Sequence, residues 1–175
     1  MGAYKLSQVV WITGLSGSGK TTIGKEVYKT LKQKYSNTVF LDGDGFREVL
    51  GNDLGHSPKD RLENAKRIHR MCKFLFSQDI NVICATMSLY KEVHELNRKE
   101  IKNYFEIFVE CDTKELIRRN QKGLYSQAVK GERNDVVGVN LPYDKPQNCE
   151  LVIDNSKKID LNIKAKEILN LIGEI

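Results

Sequence analysis

Short apolar runs alternate with longer amphipathic stretches along this chain, and the alternation predicts its elements. Gln8–Thr13 (QVVWIT) is apolar and β-branched, the length of a buried strand. From Lys20 to Tyr35 the apolar positions Ile23, Val27, Tyr28 and Leu31 follow the i, i+4, i+8 spacing of an amphipathic helix. Thr38–Leu41 predicts a second strand, stopped by the turn-forming Asp42-Gly43-Asp44-Gly45. Ser57 and Pro58 supply an N-cap and a first-turn proline for a long helix, whose buried face runs through Leu62, Ala65, Ile68, Cys72, Leu75 and Phe76. Ile80–Ala85 and Phe105–Cys111 read as the third and fourth strands, with a helix over Leu89–Asn103 between them. A short helix over Thr113–Arg119, a fifth strand at Glu150–Ile153 and a closing helix over Ile159–Ile172 complete the pattern. Parallel strands need helical crossovers, so the alternation implies an α/β fold, a five-stranded parallel sheet with helices on both faces, in one domain over residues 1–175. The stretch 120–146 is different. It has glycines at 123, 131 and 138, basic side chains and little periodicity, and a loop of that length is expected to be a mobile, functional lid.

Composition narrows the class. The chain has 175 residues, 40% hydrophobic and 29% charged, enough for one domain with a real core. No apolar run approaches the ~18 residues of a membrane span. The start MGAYKLSQVV lacks a signal-peptide core, and Leu6 breaks the Met-Gly-x-x-x-Ser/Thr acylation pattern. A soluble cytoplasmic protein without membrane association is expected. Cys72, Cys84, Cys111 and Cys149 form no C-x-x-C pair, and His56, His69 and His94 lack metal-ligand spacing. The net charge of +5 suits an anionic small-molecule substrate. No dense Lys/Arg tract interleaved with aromatics points to nucleic acid.

The chemistry starts at Gly14-Leu15-Ser16-Gly17-Ser18-Gly19-Lys20-Thr21, which satisfies G-x-x-x-x-G-K-[ST] between a strand and a helix. Glycines let backbone N–H groups turn inward around phosphate oxygens, and the helix N-terminus adds positive potential. Lys20 would reach the β/γ-phosphates of ATP, and the Thr21 hydroxyl would ligate Mg²⁺. The Asn/Thr-Lys-x-Asp guanine reader of GTPases is absent. The apolar strand that ends in an acid is Val39-Phe40-Leu41-Asp42, directly after the first helix. From there Asp42 can accept a proton from an acceptor hydroxyl or hold Mg²⁺ through water, with Asp44 two residues on.

Further motifs give the chain a resemblance. GLSGSGKTT (14–22) is followed by LDGD (41–44), Arg47, Asp53-Leu54-Gly55, Ser57, Asp60-Arg61 and Glu63-Asn64. Later come Lys122-Gly123-Leu124-Tyr125, Gly131, Gly138, Pro142-Tyr143 and Pro146. This resembles the adenylylsulfate kinase family over nearly the whole chain. These are P-loop kinases, commonly dimeric, that use ATP and Mg²⁺ to phosphorylate the ribose 3′-hydroxyl of adenosine 5′-phosphosulfate. The resemblance implies the P-loop kinase fold and assigns catalysis to Lys20, Asp42, Asp44 and Lys122. The ATP site would comprise Gly14, Ser16, Gly17, Ser18, Gly19, Lys20, Thr21, Thr22 and, near the adenine, Arg119. Acceptor contacts would fall to Asp44, Arg47, His56, Arg61, Asn64, Met87, Lys122 and Val136, with Ser88 beside the transferred phosphate. Arg61 and Asn64, at i and i+3, share one helix face.

The departures concern the acceptor base. The family holds adenine between two phenylalanines, and this chain has His56 and Val136 at those positions. The family's Ile-Ser-Pro is Met87-Ser88-Leu89, Lys91 stands where an arginine is usual, and Gly45 replaces an asparagine. Base stacking is worth ~1–3 kcal/mol per base, so losing two contacts would cost ~2–6 kcal/mol, ~30-fold to 10⁴-fold in affinity. A smaller pyrimidine suits such a pocket. The expected acceptor is cytidine diphosphoramidate, the 3′-phosphorylated intermediate's precursor in bacterial capsule phosphoramidate synthesis, and the alternative is adenylylsulfate. Two readings of a different class are a non-catalytic nucleotide switch, which Asp42 and the long basic lid argue against, and a nucleic-acid binder using the basic surplus, which a salt-steep affinity for RNA or DNA would reveal.

Overall fold

The structure is a computed structural model and describes residues 7–157 and 160–174. The acylation positions Gly2 and Leu6 and the start of the closing helix at Ile159 lie outside the described residues. The elements run β1 (Val9–Thr13), α1 (Lys20–Lys34), β2 (Thr38–Asp42), α2 (Gly43–Val49), α3 (Pro58–Ser77), β3 (Asn81–Thr86), α4 (Lys91–Glu100) and β4 (Tyr104–Glu110). They continue with α5 (Thr113–Arg119), a 3₁₀ turn (Gln121–Gly123), α6 (Leu124–Val129), β5 (Leu151–Asp154) and α7 (Leu161–Leu171).

All strand pairs are parallel, in the order β2-β3-β1-β4-β5. Central β1 is buried at every residue, as expected of a strand covered on both faces. Its side chains still alternate. Val10 and Ile12 join Ile23, Val27 and Leu31 of α1 and Ile168 of α7 in one core layer. Val9 and Trp11 join Ala65, Ile68 and Cys72 of α3 and Val93 of α4 in the other. The free cysteines Cys72 and Cys84 are core hydrophobes in that second layer.

Two predicted irregular stretches are helical. The Asp-Gly-Asp-Gly turn is the start of α2, because the Asp42 side chain caps it and accepts from the backbone N–H of Asp44 and of Gly45. The expected lid contains α6, whose Tyr125 and Ala128 pack with Leu15, Leu89, Phe108 and Val136 in a third cluster over the P-loop. The Tyr125 hydroxyl donates to the Ser16 carbonyl at 2.6 Å. This half of the lid is docked on the loop it would cover. Helix α4 starts at Lys91 and not at Leu89, because Leu89 is buried in that third cluster and Asp144 Oδ2 accepts from the Lys91 N–H.

Candidate active site

β1 lies at the switch point between β3 and β4, so its carboxyl end opens a crevice, and the glycine loop occupies it. Glycine is required at two positions. A Cβ at Gly14 would strike the Val109 carbonyl of β4, and one at Gly19, at φ 100°, would strike the Asn155 amide. With Gly19 as N-cap, α1 opens without a side-chain cap, leaving its first N–H groups for an anion.

Lys20 sits at the head of α1, only 9% exposed, and its Nζ donates to the Leu15 carbonyl at 2.9 Å. Burial lowers its pKa to about 8, with Asp44 and Asp42 pulling weakly the other way. The Thr21 hydroxyl donates to Asp42 Oδ2 at 3.0 Å, while Asp42 Oδ1 accepts from the N–H of Asp44 at 3.0 Å. One carboxylate oxygen thus holds α2 and the other faces the phosphate loop. Lys122 Nζ reaches Asp44 Oδ2 at 3.2 Å across the cleft.

Two cavities meet at Lys20, Thr21 and Thr22. The first, about 540 Å³, extends past Gly17 and Gly19 to Arg119, Asn155 and Lys164. Arg119 is fixed there by the Gly17 carbonyl at 3.0 Å, the Asn155 carbonyl at 2.6 Å and Glu115 at 2.8 Å. Hydrogen bonds from Arg118 and Arg119 hold the Glu115 carboxyl down at about 2. The second cavity, about 660 Å³, is lined by Ser16, Asp42, Asp44, Arg47, His56, Arg61, Asn64, Met87, Lys122 and Val136 among others. The structure therefore gathers the expected acceptor residues, Ser88 excepted, around one space.

The side chains shape that space in specific ways. Arg47 donates to the carbonyls of Leu54 and Gly55, each at 2.9 Å, and Arg61 to those of His56 at 2.8 Å and Asp135 at 3.1 Å. Both guanidiniums brace the loop before α3. Burial, then the Arg61 and Arg47 charges, lower the pKa of His56. Val136 lines the cavity with only 1% of its surface exposed, its bulk lying in the third cluster. Ser88, expected beside the transferred phosphate, is fully buried and does not line the cavity. Its carbonyl accepts from Thr13 Oγ1 at 3.0 Å and from His94 Nε2 at 2.7 Å, while its buried hydroxyl has no hydrogen-bond partner among the described residues. Gly14 and Ser18 are buried too, and the Ser18 hydroxyl has no hydrogen-bond partner among the described residues.

Asn155, Arg133 and Asp135 were not singled out by the sequence. Asn155 donates to the Ser18 carbonyl at 2.6 Å and accepts from Lys164. Its signal was position: it directly follows β5, and the carboxyl edge of a parallel sheet is where ligands bind. Hard oxygen donors suited to Mg²⁺ are present in Thr21, Asp42 and Asp44. Among the described residues no three His, Cys, Asp or Glu side chains gather to hold a metal ion. A hydroxyl and two carboxylates suit Mg²⁺ that takes its remaining ligands from nucleotide phosphates and waters.

A glycine loop at the switch point, a buried lysine, a strand-ending aspartate and two cavities meeting at the loop define a P-loop phosphotransferase. The Adenylylsulphate kinase family model matches residues 6–154, and the chain belongs to that family. It is 46% identical over 161 residues to the cytidine diphosphoramidate kinase of Campylobacter jejuni subsp. jejuni serotype O:2, covering 92% of this chain and 94% of the relative. A probable adenylyl-sulfate kinase of Aeropyrum pernix is 37% identical over 160 residues, 89% of this chain and 87% of its own. Among solved structures, the Mycobacterium tuberculosis APS kinase in complex with AMPPNP and APS aligns with a TM-score of 0.85 and 33% identity, over 95% of this chain and 97% of that one. The chain is a nucleotide kinase, a phosphotransferase with a hydroxyl acceptor. No helix among the described residues is long and apolar enough to cross a membrane.

Proposed function

We propose that this kinase transfers the γ-phosphate of ATP to the ribose 3′-hydroxyl of cytidine diphosphoramidate, as a step in bacterial capsule phosphoramidate synthesis. The observation that carries the reading is the base end of the acceptor cavity, where His56 and the sunken Val136 leave no pair of rings to hold a purine. The 46% identity to a cytidine diphosphoramidate kinase supports it, a margin of a few per cent over adenylyl-sulfate kinases that reach 42%.

In the proposed mechanism the glycine loop's N–H groups and Lys20 bind the donor phosphates, and Arg119 and Asn155 flank the donor base. Arg47, Arg61 and Asn64 orient the acceptor nucleotide, with Met87, His56 and Val136 around its base. Asp42 Oδ2 takes the proton from the attacking 3′-hydroxyl as the 3′-oxygen bonds to the γ-phosphorus, and ADP departs. Lys122 exchanges Asp44 for the phosphoryl group in flight, so positive charge meets the negative charge that develops there. Thr21 and, through water, Asp42 would hold Mg²⁺, which would neutralise charge at the phosphates.

The test is the ratio of kcat/KM for cytidine diphosphoramidate to that for adenylylsulfate under one ATP/Mg²⁺ condition. The ratio is expected to exceed one, and His56→Phe with Val136→Phe should shift it toward adenylylsulfate. A wild-type ratio below one would assign the protein to sulfate activation instead.

A further inference from the structure

Rejecting purines does not by itself select cytosine, and the cavity wall contains groups that could. Arg133 and Asp135 of the lid, three residues and one residue before Val136, line the same cavity as His56, Asn64 and Val136. Arg133 Nε donates to Asp135 Oδ1 at 2.5 Å and its Nη2 to Asp135 Oδ2 at 3.1 Å, which orients the guanidinium and carboxylate together. Arg61 fixes the backbone at this point by donating to the Asp135 carbonyl at 3.1 Å, and its Nη2 lies 3.7 Å from Asp135 Oδ2. Both side chains remain about one-third exposed, Arg133 at 35% and Asp135 at 36%. The wall therefore presents a carboxylate acceptor beside a guanidinium donor, on a segment anchored from below by buried Val136.

We infer that Arg133 and Asp135 read the Watson–Crick edge of the acceptor cytosine, the carboxylate accepting from N4–H and the guanidinium donating to N3 and O2. This rests on the cytidine reading above. A carboxylate accepting from cytosine N4 and an arginine donating to base acceptors are pairings that recur in nucleic-acid recognition. The Arg133 hydrogen bond keeps the Asp135 carboxyl below its ordinary range, so it stays an acceptor at working pH. Uracil has nearly the same shape with the two groups reversed. Its O4 acceptor would face the carboxylate and its N3–H donor the guanidinium. Adenine offers an amino group and an acceptor nitrogen in the same order, so this pair does not reject it by that edge. Adenine carries C–H where cytosine has O2, and its second ring finds no stacking partner. Rejection of uracil thus isolates the Arg133–Asp135 pair, while rejection of adenine reports the missing rings.

The experiment compares kcat/KM for cytidine diphosphoramidate, its uridine counterpart and adenylylsulfate in the wild type, Asp135→Asn and Arg133→Gln. The wild type is expected to favour cytidine over uridine by at least about tenfold, the scale of one mispaired base edge. Each variant should bring the cytidine-to-uridine ratio toward one, and both should bind a non-hydrolysable ATP analogue with unchanged Kd, which confirms that they are folded. A cytidine-preferring wild type whose ratio survives both substitutions would overturn this inference alone. A wild type that does not distinguish cytidine from uridine would also overturn it. Preference for adenylylsulfate would overturn the cytidine reading and this inference together.

Discussion

At the residue scale the proposed phosphate site rests on one buried amine and one two-sided carboxylate. Lys20 is depressed to about 8 by burial, so near neutral pH it is charged but close to titration. Phosphate binding favours the ammonium form. Above about pH 8 the affinity for an ATP analogue should therefore fall, by up to ~tenfold per pH unit, with proton uptake on binding. Calorimetry at pH 8.5 in buffers of different ionisation enthalpy measures that uptake, and a Kd flat from pH 7 to 9.5 would contradict it. The folded pKa lies below the unfolded value of 10.5, so in the free protein this group's destabilising effect is full below about pH 8. It fades as pH rises toward 10.5. Lys20→Ala should abolish transfer while the protein stays folded. Asp42 needs a finer substitution, because its Oδ1 caps α2 while its Oδ2 faces Thr21. Asn retains the capping oxygen and removes the charge, so Asp42→Asn should lower kcat at least ~10²-fold with ATP-analogue binding kept. An Asn variant with wild-type kcat would transfer the proton-accepting role to Asp44 or to solvent.

At the element scale, what the sequence made legible depended on how deeply each element is buried. β1, β3 and β4 stood out as apolar runs because the sheet is covered on both faces, and the P-loop stood out because its chemistry is written in consecutive residues. Helix α2 was hidden because only Phe46 of its seven residues is buried, too few to set a period, and because capping aspartates and turn aspartates share one vocabulary. Helix α6 was hidden for the same reason, with Tyr125 and Ala128 as its only buried positions. Arg133 and Asp135 carried no signal at all, since their meaning depends on a wall formed by α3 and the lid together. Glu106 is another residue whose setting only the structure reveals. It looks like one acid in an apolar strand, yet it is 1% exposed, held by Arg98 at 2.8 Å and with His94 Nδ1 3.3 Å from its other oxygen. Removing it would leave a cavity beside β4 and take one partner from Arg98, which keeps Glu150 and the Asn148 carbonyl. Glu106→Ala should therefore destabilise the protein by ~1–3 kcal/mol in urea unfolding, and a loss under ~0.5 kcal/mol would show that the site relaxes around the missing carboxylate.

At the scale of the whole molecule the sheet and the lid divide the work. The carboxyl ends of β1, β2, β3 and β5 deliver the glycine loop, Asp42, Met87 and Asn155 to one edge, and these positions are set by the folded core. The lid is attached unequally. Its α6 half is tied to the P-loop by buried Tyr125, whereas Lys122 spans the cleft to Asp44 through a pair that is 76% and 83% exposed. Solvent screens such a pair, so it is a weak latch, and donor phosphates offering a stronger negative partner would displace it. Bound nucleotide should then reorganise the segment around Lys122 and the 130–140 stretch far more than α6. Hydrogen exchange in the free, ATP-analogue-bound and ternary states would resolve this by segment. Protection is expected to rise modestly around 120–123 with the donor alone, and strongly over 130–140 only when the acceptor is also present, because that stretch faces the acceptor cavity. Closure in this order would shield the phosphates from water only once an acceptor is in place, so that ATP is not lost to hydrolysis. Equal protection with donor alone would mean that the lid closes without sensing the acceptor, and the enzyme would then show substantial ATPase activity in its absence.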